Sequence, residues 1–354
     1  MMTRRQTLGS ALALGATAMA RPAFAAGMFP IVETAQGKLR GLESGGVSIF
    51  RGVSYAADTS GANRFMPPQP VEPWAGVRDA LHWTDVAPQI PGDRRHVYAD
   101  LIMVDRNPSG MGEDNLSLNL WSPGLDPNAK KPVIVVLHGG GFYSGSGNSV
   151  GMDGEAMARF TDSVVIAINH RLGAFGFLHL AEFGGEEFAT SGTVGMQDIV
   201  AALGWVRENV AAFGGDPDRV LVYGQSGGGA KIATLMAMPA ADGLFHTAAT
   251  MSGQQVTAQG PGNGWRRTRA LLDHLGLAED GAALLALPYE RLLEGLEATD
   301  PVLGGSLYFG PTLDMLHLHR HPFWPDAAPQ SRHIPMILGN MRDETRAFIR
   351  SDGL

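Results

Sequence analysis

Ser226 stands at the centre of Gly224-Gln225-Ser226-Gly227-Gly228, a Gly-x-Ser-x-Gly pattern that follows the apolar run Arg219 to Tyr223. A serine at a sharp strand-to-helix turn is held in strained backbone geometry with its hydroxyl clear of the sheet. Glycines two before and two after it suit a place where strand and helix approach too closely for a β-carbon. The helix that follows then points its first amide hydrogens at charge developing on the serine. A plain glycine-rich turn also fits these five residues, because the chain has 47 glycines. A second feature bears on the choice: His138-Gly139-Gly140-Gly141 closes another apolar run, Val133 to Leu137. Its bare amides can face the serine, with the amide of Gly227 as a third donor. An activated nucleophile and a preorganised oxyanion site are what acyl transfer to a serine requires. Their joint presence, in this order, favours the serine site.

Several elements must hold these two loops together. Val133 to Leu137 and Val164 to Ile168 are continuous apolar runs, the signature of strands buried on both faces of a parallel sheet. Val194 to Val210 keeps helical spacing through Met196, Ile199, Val200, Leu203, Val206 and Val210. Phe245 to Met251 and Pro335 to Leu338 supply two further strands. Ile31 to Phe50 alternates around glycines as small antiparallel strands do, and Gly112 to Trp121 alternates as one more. Arg64 to Trp74 is a proline-rich coil. Residues 86 to 112 show no period and predict a long surface excursion. Trp265 to Leu296 is helical in composition and predicts a cap over the sheet.

The 354 residues are 44% hydrophobic, 18% charged and carry a net charge of -8, enough for a sizeable α/β core. The acidity argues against a nucleic-acid partner. With no cysteines, disulfides, thiolate metal sites and cysteine catalysis are excluded. No stretch in the body reaches the roughly 20 apolar residues of a membrane span. Thr3-Arg4-Arg5-Gln6-Thr7-Leu8, an apolar segment to Ala20 and Ala23-Phe24-Ala25 together predict a twin-arginine signal over residues 1–25. Cleavage before Ala26 would release residues 26–354 as one domain in the periplasm or outside the cell. Nothing in the residues points to an oligomeric state.

The chain resembles the type B carboxylesterase and cholinesterase family of α/β-hydrolases. The likeness is carried by Phe50-Arg51-Gly52-Val53-Ser54-Tyr55-Ala56, Gly112-Glu113-Asp114 with Leu118-Asn119-Leu120-Trp121, and His138 to Gly145. It continues through Asn169 to Phe177, Gly195-Met196-Gln197-Asp198, Asn209 to Pro217, the serine segment, Phe309-Gly310-Pro311 and Gly339 to Glu344. The resemblance implies a mostly parallel central sheet flanked by helices, with small N-terminal strands and a helical cap. It implies hydrolysis of a small-molecule carboxylic ester by a Ser-His-Glu triad, without cofactor or metal. Ser226 matches the nucleophile, Gly140, Gly141 and Gly227 the oxyanion donors, and Glu344 the triad acid. Arg51 with Glu113, and Arg171 with Asp198, match structural ion pairs.

Three departures stand out. Gln225 and Gly227 replace the family's usual glutamate and alanine, and the added freedom of Gly227 bears on how sharply the oxyanion site is set. Asn115 occupies a position that usually holds a disulfide cysteine, so that loop is expected to be unpinned. In this fold the triad histidine follows the acid, yet the chain's eleven histidines all precede Glu344. The expectation is therefore that the family's C-terminal strands and histidine are missing from this chain, which would leave it inactive with an open apolar edge. His317 and His319 have the x-His-x-His spacing of some metal ligands, but no carboxylate pattern completes such a site and a polar loop is the simpler reading. Two alternatives to ester hydrolysis stay open: a cholinesterase-like binding protein, against which the intact serine and glycine motifs argue, and an amide- or peptide-cleaving enzyme of the same fold.

Overall fold

A computed structural model describes residues 27–91, 107–277 and 280–344; the expected export signal lies outside them. A small three-stranded sheet joins β1 (Ile31–Glu33), β2 (Lys38–Arg40) and β5 (Val77–Asp79). The main sheet contains β3 (Leu42–Ser44), β4 (Val47–Ser54), β6 (Ser117–Ser122), β7 (Lys131–Leu137), β8 (Val164–Ile168), β9 (Gly215–Gln225), β10 (Thr247–Met251) and β11 (Met336–Gly339). Its spatial order is β11-β10-β9-β7-β8-β6-β4-β3. The pairs from β8 through β7, β9 and β10 to β11 are parallel; the pairs from β8 through β6 and β4 to β3 are antiparallel.

The central strands are buried as their composition requires. All five residues of β8 are inaccessible to solvent, and each such aliphatic side chain contributes about 1.5–3 kcal/mol by leaving water. Helices α1 (Glu155–Thr161), α2 (Gly173–Phe177), α3 (Ala181–Gly184), α4 (Val194–Asn209), α5 (Gly227–Leu235), α6 (Pro261–Leu275) and α7 (Tyr289–Gly295) complete the described elements. The aromatic core includes Phe50 edge-on to Phe213, with ring centroids 4.9 Å apart.

Three expectations change in detail. The serine strand does not begin at Arg219 but at Gly215, where it pairs with Lys131 before the register shifts to Val133–Val220. Pro217, which cannot donate to a ladder, sits inside that irregularity. The helical segment 265–296 is divided: Gly276 adopts φ +71 at the end of α6, and Pro288 precedes α7. Helix α6 packs on the chain after α2, where Trp265 stacks on Phe183 and Thr268 donates to the His179 carbonyl at 2.8 Å. The excursion at 86–112 is closed at its neck, because the Val86 amide donates to Gly110 and the Gly112 amide to Val86. Residues 92–106 within it lie outside the described set.

Candidate active site

β9 delivers Ser226 into a turn from which α5 departs at once. Ser226 has φ 53 and ψ -121, a region that costs a non-glycine residue about 1–3 kcal/mol. Neighbouring elements hold it there: its amide donates to the Met251 carbonyl on β10 at 2.7 Å, and its carbonyl accepts from Ala230 at 3.0 Å. The glycine spacing has the steric cause read from the sequence. A β-carbon on Gly224 would lie 2.5 Å from the Gly228 carbonyl carbon, and one on Gly228 would overlap the Leu137 carbonyl oxygen.

The glycine loop leaves β7 beside this turn. Gly140 and Gly141 have φ +87 and +61, conformations open to glycine at little cost. The loop turns back on itself through Ser144, whose amide donates to the Gly140 carbonyl at 3.0 Å. Gln89, which no motif flagged, clamps its far end: the Gly145 amide donates to Gln89 Oε1 at 2.8 Å, and Gln89 Nε2 donates back to the Gly145 carbonyl at 3.1 Å. A β-carbon on Gly139 would stand 3.8 Å from that of Ser226, so the loop faces the serine. Gly227 lies against Gly141. Among the described residues, the amides of Gly140, Gly141 and Gly227 donate to no backbone or side-chain acceptor. Three unspent donors therefore lie on backbone that borders the turn of half-buried Ser226.

The family-model comparison covers nearly the whole chain, matching the carboxylesterase family over residues 29–353. The chain belongs to the carboxylesterase family. Para-nitrobenzyl esterase of Bacillus subtilis is 38% identical over 91% of this chain and 64% of that protein. Phenmedipham hydrolase of Pseudarthrobacter oxydans is 39% identical over 89% of this chain and 62% of its own length. Among solved structures, a carboxylesterase of Geobacillus stearothermophilus superposes with a TM-score of 0.79 at 38% identity, over 91% of this chain and 63% of that one. The chain thus spans just under two thirds of the length of these relatives.

As a carboxylesterase-family chain it keeps one expected ion pair and rearranges the other. Arg171 and Asp198 are both buried; Nε donates to Oδ2 at 2.9 Å and Nη2 to Oδ1 at 2.6 Å, while the Arg171 amide reaches Oδ2 at 3.0 Å. Glu113 does not pair with Arg51. Its partner is Arg64, through Nε to Oε2 at 2.6 Å and a second contact from Nη2 to Oε1. Arg51 lies in the bulge of β4 between Phe50 and Val53, beside Gly52 at φ +65. Arg51 is left over the Trp83 ring at 4.8 Å. The loop after Asp114 is not unpinned either: buried Asn115 donates from Nδ2 to the Gly112 carbonyl at 2.8 Å, a local tie in place of a disulfide.

Glu344 sits just past the C-terminal end of β11, partly exposed, accepting the Met341 amide on Oε1 at 2.8 Å. No described histidine ring bonds Glu344 or Ser226. His319 and His321 bond backbone groups at Leu316 and Ala258. His138 and His170 are buried and stacked on each other, ring centroids 4.9 Å apart. Beyond the glycine loop, Tyr143 meets Tyr308 edge-on with ring centroids at 6.0 Å. Tyr308, Gln259, Arg267 and Gly310 help to line a cavity of about 240 Å³. Burial pushes the Tyr308 hydroxyl up to about 12, so it stays protonated there as a donor.

Gly227, where the family resemblance led us to expect alanine, is fixed by contact rather than left loose. A β-carbon there would overlap the backbone of Gly141, with the Gly141 Cα at 2.6 Å. Gly227→Ala should displace the glycine loop and destabilise the protein by about 1–3 kcal/mol, as overpacking does. A thermal melt unchanged from the parent would show that the loop yields freely.

Proposed function

We propose that this chain carries the acylation half-site of a carboxylic ester hydrolase with Ser226 as nucleophile. The observation that carries the proposal is the packing of the glycine loop, with the unspent amides of Gly140 and Gly141, against the turn that holds Ser226 and Gly227. Ser226 Oγ attacks the ester carbonyl carbon, the carbonyl electrons move onto oxygen, and the three amides hold that oxyanion. Collapse expels the alcohol and leaves an acyl-serine; water then adds to the same carbon and releases the acid. Turnover also needs a base to take the Ser226 proton and return it to the departing alcohol. Glu344 would orient an imidazole in that role, and no described histidine of this chain fills it, so a histidine-bearing segment beyond Glu344 would have to supply it. The name of one relative, a para-nitrobenzyl esterase, favours esters of an aromatic alcohol.

The test is a paired panel of p-nitrophenyl and p-nitrobenzyl esters against matching p-nitroanilides. Joined to a histidine-bearing segment after Glu344, the chain should turn over esters at ordinary enzyme rates, about 1–10³ per second, with little on the anilides; the 354 residues alone should show almost no ester turnover. No ester turnover by the joined chain, or anilides cleaved as fast as esters, would overturn the reading.

A further inference from the structure

Lys231 is wholly buried on α5, one helical turn beyond Gly228. Its Nζ donates to the His138 carbonyl at 2.8 Å. Residues three apart on a helix share a face, and here that face grips two successive peptides: the Leu137 carbonyl lies against Gly228, and the His138 carbonyl against Lys231. The second of them joins His138 to Gly139, the first residue of Gly139-Gly140-Gly141. We propose that Lys231 is a positioning residue, whose amine ties the helix carrying Ser226 to the root of the glycine loop and so sets the oxyanion amides against the serine. The inference rests on the acyl-transfer reading of Ser226 given above.

The surroundings explain why this tie is sensitive to charge. His138 follows the end of β7, which packs on α5, and His170, two residues beyond β8, stacks on it. Both rings are held neutral, their basicity pushed well down first by burial and then by the Lys231 charge. Each ring Nδ1 bonds a carbonyl, of Gly139 and of Arg171, and must carry the proton; each Nε2 is buried without a partner. β10 carries no ionisable side chain, and β9 offers Tyr223 and, at its far end, Asp216, Asp218 and Arg219. On α4, the Asp198 carboxylate is taken up by Arg171, while Arg207 and Glu208 lie in the last turn. No carboxylate offsets the Lys231 charge, and burial brings its pKa from 10.5 to about 7. The sign follows: between pH 7 and 10.5 the unfolded chain holds a proton that the folded chain has released, so stability rises with pH across that window. A charged donor bonds a carbonyl about twice as strongly as a neutral one, so the grip on His138 is firmest below pH 7.

The experiment compares the chain with Lys231→Met and Lys231→Arg. It reads kcat and KM on a p-nitrophenyl ester from pH 5.5 to 9 together with amide hydrogen exchange over residues 138–145, where the pH values are settings of the assay. Lys231→Met should lose about tenfold or more in kcat with KM within about twofold, exchange faster at the glycine loop, melt no lower, and lose the rise in stability above pH 7. Lys231→Arg, charged throughout, should keep kcat near pH 6 and lack the wild-type fall in activity above pH 7. Wild-type kcat and loop exchange in Lys231→Met would overturn the proposal. So would an arginine variant that behaves like the methionine one. The kinetic arm uses the chain joined to a histidine-bearing segment after Glu344; if that protein turns over no ester, the acyl-transfer reading fails, and the exchange comparison on the 354-residue chain still decides the role of Lys231.

Discussion

In the chain joined to a histidine-bearing segment after Glu344, Ser226→Ala is expected to abolish ester turnover to within a residual background, a loss of about 10⁶-fold by analogy with nucleophile removal in other serine hydrolases. What survives should be the contribution of the oxyanion amides and binding, about 10³–10⁴ over water. The fold should not change, because the amide and carbonyl of residue 226, rather than its hydroxyl, make the bonds that hold the turn to Met251 and Ala230. Two measurements separate the outcomes. A fluorophosphonate should label one serine in the parent and none in the variant, and the two melting curves should coincide. Label on a serine other than Ser226, or turnover that survives the substitution, would remove Ser226 from the mechanism.

The second large effect concerns stability. Asp198 accepts three bonds from Arg171, and both residues lie beneath the surface. Asp198→Ala leaves the guanidinium buried with only the Met66 carbonyl, 2.7 Å from Nη1, as its remaining described acceptor. Stranding a buried charge costs about 3–5 kcal/mol, a large part of the roughly 5–15 kcal/mol by which domains are stable. The damage should reach the candidate site, since Arg171 follows His170, whose ring packs on His138 at the root of the glycine loop. Urea unfolding gives the magnitude. Should Asp198→Ala fail to fold, Asp198→Asn, which keeps the shape and loses the charge, should show a smaller loss in the same direction. A shift below about 1 kcal/mol for both would mean that water or another group takes up the guanidinium.

How much of this was legible beforehand depends on the range of the interactions involved. The serine turn and the glycine loop are local, since a five-residue steric demand at Gly224 and Gly228 writes itself into five residues of sequence. The buried strands β7 and β8 were legible for the same reason, as a run of aliphatic side chains has no other comfortable place. The partner of Glu113 was not. Arg51 and Arg64 are both arginines before it in the chain, and the one that meets it also reaches carbonyls more than two hundred residues away, which no local pattern shows. Lys231 gave no signal at all. A lysine on a helix reads as solvated, and only the packing of α5 on the end of β7 shows that it is buried. The tie through Asn115 was masked by the expectation of a cysteine, although an asparagine side chain can pin a short loop through its own backbone.

Arg64 has a consequence for the order in which the chain can be completed. Besides Glu113, its Nη1 donates to the carbonyls of Leu284 and Leu287, 220 and 223 residues further along. During synthesis at about 5–20 residues per second, roughly 10 to 45 seconds pass between the appearance of Arg64 and that of its last partner. Through that interval the arginine and its carboxylate can meet each other but not the chain end that buries them. The proline-rich coil around Arg64 is therefore among the first segments made and among the last to be locked. Docking of residues 284–287 is the event that seals the early-made arm against the late-made cap.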